Sequence, residues 1–220
     1  MNLDQLQRNW DDLGATDPLW AILAYPDRHG NKWTPEEFFA TGEEWLGGYF
    51  DILDGLGMAP ARHERALDFG CGAGRLTRAL AGRFVHADGV DVAPSMIELA
   101  QKFHADDPRV VFQHMSNDLK AAYLREFVRV LRPGGIAMFT VPSHADLSPI
   151  GIVRRLPNPI QNVYRRRRYG YDAVMEFHTF RRAKVEQALR AAGGQVEAVI
   201  SEDTAGPPFV SYVYVVTKPE

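Results

Sequence analysis

The sequence predicts an α/β fold: a doubly wound, mostly parallel sheet with a terminal antiparallel strand, preceded by a helical N-terminal cap. Three observations point there. From Arg65 onward, short apolar runs alternate with helical patterns, which favours parallel strands joined by crossover helices. The last two strand-like runs, 195–200 and 209–217, flank the turn residues Gly206-Pro207-Pro208 with no helix between them. So short a connection favours an antiparallel pair. Residues 1–60 carry helical spacing and all four tryptophans, Trp10, Trp20, Trp33 and Trp45.

Each element has its own signal. Thr34-Pro35-Glu36-Glu37 reads as a helix start, with Thr34 as N-cap, Pro35 in the first turn and Glu37 completing a capping box. The helix runs on through 38–53 until Gly55, Gly57 and Pro60 interrupt it. Ala66-Leu67-Asp68-Phe69 reads as a short buried strand, and 75–83 as a helix with Leu76 and Leu80 on one face. Residues 86–92 form a second strand. Pro94 opens a helix whose Met96, Ala100 and Phe103 share a face, and Val110-Val111-Phe112 is the third strand. Leu119, Tyr123, Phe127 and Val130 mark an amphipathic helix stopped by Pro133-Gly134-Gly135. A strand over 136–141 and a helix over 181–192 precede the final pair. The expected organisation is a cap over 1–60 and an α/β domain over 61–220, with a basic lid-like insertion at about 143–180.

Composition narrows the class. Hydrophobic residues make up 45% of the 220, enough to build a core and too many for a disordered chain. No apolar run approaches the ~20 residues that span a bilayer. The start of the chain has no signal-peptide core, and its one cysteine cannot form an internal disulfide. A cytoplasmic location is the expectation. The net charge is −3, yet 151–190 hold ten Arg or Lys against three acids. Such a segment is either a solvated surface or a face turned to an anionic substrate. Nucleic acid is not expected as a partner, because the rest of the chain is acidic and no RNA-binding module is present. The histidines are scattered and no metal-ligand spacing occurs, so no metal is expected.

The chemistry concentrates between the first strand and its helix, in Leu67-Asp68-Phe69-Gly70-Cys71-Gly72-Ala73-Gly74-Arg75. Glycines there permit a tight turn and close approach of a ligand, and the helix start offers unpaired N–H groups. Asp91 ends the second strand, where an acid can accept hydrogen bonds from ribose hydroxyls. Asp68 places an acid beside a cationic or amine-bearing group. Arg75 stands where the dinucleotide fingerprint wants a third small residue, which disfavours a nicotinamide enzyme.

Asp68, Gly70, Gly72 and Gly74 together resemble the first motif of the class I S-adenosylmethionine-dependent methyltransferases, a Rossmann-like family. The resemblance continues through Gly89-Val90-Asp91-Val92-Ala93-Pro94-Ser95-Met96 and the run from Leu124 to Gly135, and covers roughly 64–217. It implies S-adenosyl-L-methionine as cofactor, with the segment Asp68, Gly70, Cys71, Gly72, Gly74 and Arg75 around its methionyl part. By the same resemblance Asp91 takes the ribose, and Val92 and Met96 lie near the adenine. Cys71 is a common occupant of this turn and is not read as a nucleophile. The implied activity is methyl transfer to an O or N atom of a small molecule, with an anionic acceptor compatible with the basic segment. The competing implication is a non-catalytic cofactor-binding or interaction protein.

That alternative comes from a departure in the pattern. The family places a third strand, a loop and a fourth strand where this chain has only 109–117. Val110-Val111-Phe112 resembles the third strand, and Gln113-His114-Met115 the tail after the fourth. One strand is then absent. A gap in the buried centre of a sheet costs ladder bonds on both sides, so 110–114 is expected beside 66–69. Connectivity favours the edge instead. The candidate catalytic residues are His114, next to the expected methyl-transfer region, and His178, in the segment that often covers the substrate in this family. Trp20, Tyr25 and His29 are either core of the cap or pocket lining.

Overall fold

The structure, a computed structural model, describes residues 3–114, 123–148, 151–152, 179–203 and 208–219. The chain divides into two compact units, 1–120 and 121–220. The mixed α/β class holds, with one parallel sheet and one antiparallel sheet.

In the first unit, helices α1 (Leu3–Thr16), α2 (Pro18–Ile22) and α3 (Pro35–Gly55) form the expected N-terminal cap. Thr34 caps α3 as expected, its Oγ1 accepting from the Glu37 amide at 3.2 Å. The Glu37 carboxylate pairs with Arg28 at 2.8 Å and also reaches back to Thr34, whose backbone amide and hydroxyl, together with Arg28, hold its carboxyl below the ordinary range. Thr34→Ala is expected to cost about 1 kcal/mol of stability, read as a lower midpoint in urea unfolding. A midpoint equal to wild type would assign the helix start to Pro35 alone. Leu19, Leu23, Trp33, Phe38 and Phe39 build the cap's core. Trp20 meets His29 edge-on at 4.5 Å and donates from Nε1 to the Tyr25 backbone carbonyl, the Tyr25 ring lies 5.6 Å from Trp33, and both Tyr25 and His29 are exposed.

The parallel sheet has the order β1 (Arg65–Phe69), β2 (His86–Asp91), β3 (Val110–His114). Helix α4 (Arg75–Ala81) joins the first two strands, and α5 (Pro94–Phe103) the second and third. Two expectations are corrected here. β3 lies against β2, with Ala87 opposite Val110 and Asp91 opposite His114, and not beside β1. The register runs unbroken through Phe112 and Gln113, so Gln113 and His114 are part of the third strand. The connection explains this placement. After α5 the chain turns sharply, with the Asp107 amide on the His104 carbonyl and the Val110 amide on the Asp107 carbonyl. Arg109 is anchored to Asp107 and to the Ala81 carbonyl. The strand therefore starts at the edge of β2, and the Phe112 ring takes the space that Gly89 leaves bare: a Cβ there would stand 2.7 Å from it.

The predicted helix faces are partly shifted. Met96 and Ala100 are buried, whereas Phe103 is 36% exposed. On α4 the fully buried positions include Thr77 and Ala79, while Leu76 and Leu80 are only half-buried.

The second unit contains α6 (Tyr123–Val130), β4 (Ile136–Ala145), α7 (Arg182–Ala191), β5 (Gln195–Glu202) and β6 (Phe209–Thr217). Its sheet has the order β4-β6-β5, antiparallel throughout, so the expected terminal antiparallel pair is present. Val128, Val185, Leu189, Tyr214 and Val216 form its core, and Phe139 stacks on Tyr214 at 5.6 Å. α6 buries Val128 with Leu124 packed beside it, keeps Phe127 of the predicted face against Phe139 at 5.1 Å, and leaves Val130 47% exposed, so its inner face is rotated from the predicted one. Lys218 caps the helix end by donating to the carbonyls of Arg129 and Leu131.

Candidate functional site

The parallel strands end together at the glycine loop, where ligands sit in doubly wound sheets. Gly70, Gly72 and Gly74 all have positive φ, at 77°, 52° and 85°. Their surroundings differ. A Cβ on Gly70 would meet open space, so this is the position a ligand can approach. A Cβ on Gly72 would stand 2.7 Å from Ile22 of α2. One on Gly74 would strike the Phe112 ring at 2.7 Å and His104 Nε2 at 2.8 Å. Of the three glycines, two make room for the protein itself. Ala73, between them, is completely buried in the cap's core.

Asp91 holds the loop from β2. One carboxylate oxygen accepts from the Gly72 amide at 2.9 Å, the other from the Ala93 amide at 2.8 Å. The acid expected at a ribose is thus turned toward the glycine turn. Asp68 is buried and accepts from Thr77 Oγ1 at 2.7 Å, fastening β1 to α4. Burial pushes its carboxyl above the ordinary range, against the opposing pull of Thr77 and Arg75. Cys71 is buried, and desolvation together with Asp68 and Asp91 raises its thiol well above normal, which keeps it un-ionised and inert.

Arg75, expected at the cofactor, turns toward α3. Its guanidinium lies 4.6 Å over the Trp45 ring and donates to Thr41 Oγ1 at 3.3 Å. Burial lowers its proton affinity, while Asp68, Tyr25 and Tyr49 pull the other way. α3 comes this close because residue 42 is glycine: a Cβ there would stand 2.5 Å from the Arg75 carbonyl oxygen. Val92 is half-buried, whereas Met96 is 1% exposed and packs under Gly14 of α1. Asp11 of α1 accepts from both the amide and the hydroxyl of Ser95, capping α5 from another helix.

His114 ends β3 opposite Asp91. His178 and Arg154 to Arg168 lie outside the described residues, so the lid expectation lies there as well. On α7, Arg182 and Arg190 both pair with Glu186, at 2.7 and 2.9 Å, so that part of the basic segment is offset by one carboxylate and stays net positive. The sequence reading missed Ile22, Thr77 and His104. Nothing in their spacing singles them out, since each acts through a tertiary contact: Ile22 on Gly72, Thr77 on Asp68 and His104 on the Ala73 carbonyl.

Residues 66–116 match the methyltransferase domain family. The match covers 51 of the 220 residues, so over that segment the chain is similar to a methyltransferase domain. Among curated relatives of the chain, the trans-aconitate 2-methyltransferase of Mycobacterium marinum is 30% identical over 52% of the chain and 41% of its own length. The demethylmenaquinone methyltransferase of Clavibacter sepedonicus is 31% identical over 44% of the chain and 48% of its own. The chain thus spans less than half the length of these relatives. Among solved structures, magnesium protoporphyrin IX methyltransferase from Synechocystis PCC 6803 superposes with a TM-score of 0.60 at 12% identity, covering 97% of this chain and 98% of that one. A likeness at that identity speaks for the fold. That structure holds bound S-adenosylhomocysteine. The loop fits such a group where it leaves space at Gly70 and presents the Asp91 carboxylate beside Gly72. Among the described residues, no helix is long and apolar enough to cross a membrane, and no cluster of metal-ligating side chains occurs.

Proposed function

We propose that the protein transfers a methyl group from S-adenosyl-L-methionine to an O or N atom of a small molecule. The observation that supports this most directly is the Gly70–Gly74 turn, latched to Asp91 at the ends of parallel β1 and β2. The bound cofactor supplies an electrophilic methyl group on a sulfonium sulfur. The chain's part is binding and alignment, which lower the barrier by orientation. Gly70 lets the methionyl part approach the backbone. The Asp91 oxygens can accept further hydrogen bonds from ribose hydroxyls beside the ones they take from backbone. Val92 is assigned to the adenine side. His114 is assigned as the base for acceptors that bind protonated, from its place at the end of β3, and His178 as a second candidate.

The relative named for trans-aconitate makes carboxylic acids the first acceptors to test. The proposed location is the cytoplasm. Calorimetric titration should show binding of S-adenosyl-L-methionine and S-adenosylhomocysteine and none of NAD. Mass spectrometry over a panel of carboxylic acids, phenols and amines should then show a methylated product. Binding of NAD in preference to both adenosyl compounds would defeat the proposal.

A second reading has its own observation. β3 passes through Phe112 and Gln113 without interruption, where the family carries a further loop and strand. Residues that face the methyl group in that family have no counterpart there, which favours a protein that binds the cofactor without turnover. Tight S-adenosylhomocysteine binding with no product across the panel would select it.

A further inference from the structure

We infer that His104 is a positioning residue for the cofactor loop: its Nε2–H fixes the Ala73 carbonyl, and with it the shape of the glycine turn. This rests on the cofactor reading above. Two pins bracket the Gly72–Ala73 peptide. Asp91 takes the Gly72 amide at 2.9 Å, and His104 holds the Ala73 oxygen at 3.3 Å. A carbonyl oxygen only accepts, so Nε2 carries the proton and Nδ1 does not. The ring is 8% exposed, stacks on Phe112 at 5.4 Å and meets the Phe39 edge at 5.0 Å. Gly74 lies against it so closely that a Cβ would come 2.8 Å from Nε2. Imidazole thus fills a slot shaped on three sides, and one hydrogen bond carries its influence to the loop.

The same surroundings oppose a charged ring. Burial lowers its proton affinity below the ordinary imidazole value, the Ala73 bond works the other way, Arg78 of α4 opposes a second positive charge, and Asp107 attracts it. Asp107 is itself committed to Arg109 at 2.6 Å. Glu43 of α3, Lys102 of α5 and Asp106 line the same cleft as the ring. The folded site favours neutral His104, whereas the unfolded chain takes its proton near 6.5. The stability that the neutral ring contributes is therefore complete above about pH 6.5 and is lost as pH falls through the lower folded value, while Nε2–H donates to the Ala73 carbonyl in both states.

The test compares His104→Phe, which keeps an aromatic ring without a donor, with His104→Gln, which restores an N–H. S-adenosylhomocysteine binding is measured by calorimetry at about pH 7.5 and about pH 5.5, and amide hydrogen exchange is followed at 71–75. His104→Phe should bind about three- to tenfold more weakly at the higher pH and exchange faster at these amides, as for one lost hydrogen bond. His104→Gln should recover most of both. The urea unfolding midpoint of wild type should fall between these two pH values by more than that of His104→Gln. Equal affinity and exchange for His104→Phe and wild type, or equal impairment of the two variants, overturns the inference. If His104→Phe does not fold, His104→Gln decides alone: near-wild-type affinity and exchange at 71–75 support the inference, and loss of either overturns it. If the wild type fails to bind S-adenosylhomocysteine, the cofactor reading falls, while exchange at 71–75 still decides the role of His104.

Discussion

Gly74→Ala should destabilise the protein by about 2–5 kcal/mol in denaturant unfolding. The position has φ 85° and ψ 23°, and a left-handed conformation costs a residue with a Cβ roughly 1–2 kcal/mol. The added methyl then meets Phe112 and His104 well inside van der Waals contact. Overpacking of this kind costs about 1–3 kcal/mol more. Gly70→Ala is the control. It has a similar φ of 77° and nothing near its Cβ, so about 1–2 kcal/mol of backbone strain is its whole expected cost. Its methyl projects where a ligand would approach, so S-adenosylhomocysteine affinity should suffer more at Gly70 than stability does. Equal destabilisation by the two variants would show that Gly74 is not packed against β3 in the way described.

Asp91→Ala should weaken S-adenosylhomocysteine binding by about 1.5–3 kcal/mol, the range for hydrogen bonds to a charged acceptor, or roughly tenfold to more than a hundredfold. Two effects contribute. The ribose loses its proposed acceptor, and the Gly72 and Ala93 amides lose the carboxylate that satisfies them. Asp91→Asn separates these effects in part, because the amide keeps one accepting oxygen while its NH2 faces a donor. If Asp91→Ala lowers the unfolding midpoint and leaves the affinity of the remaining folded protein intact, Asp91 is a latch for the loop and not a ribose ligand.

The two positions also show how far the site was legible in sequence. Asp91 and the glycines are visible because their spacing relative to strand and helix is set by backbone geometry, which sequence expresses directly. The division of labour among the glycines is not visible. Gly70 faces open space, whereas Gly72 and Gly74 accommodate Ile22, Phe112 and His104, from elements far away in the chain. Arg75 shows the same limit. Adjacency to the motif placed it at the cofactor, but its guanidinium runs to Trp45 and Thr41, because Gly42 lets α3 approach closely.

By itself the sequence determined the α/β class, the order of strands and helices, the α3 cap at Thr34, the antiparallel final pair and the motif with its implied cofactor. All of these depend on local periodicity, turn chemistry or short spacing. Only the tertiary structure decided that β3 pairs with β2, since the choice between centre and edge turned on how the 104–109 connection folds. It likewise decided how α6 turns inward, because Phe127 rests on Phe139 while Val128, one residue on, is buried in the cluster with Leu189. The role of His104 belongs to this second group: an isolated histidine carries no periodic signal, and the Ala73 carbonyl it holds is 31 residues away.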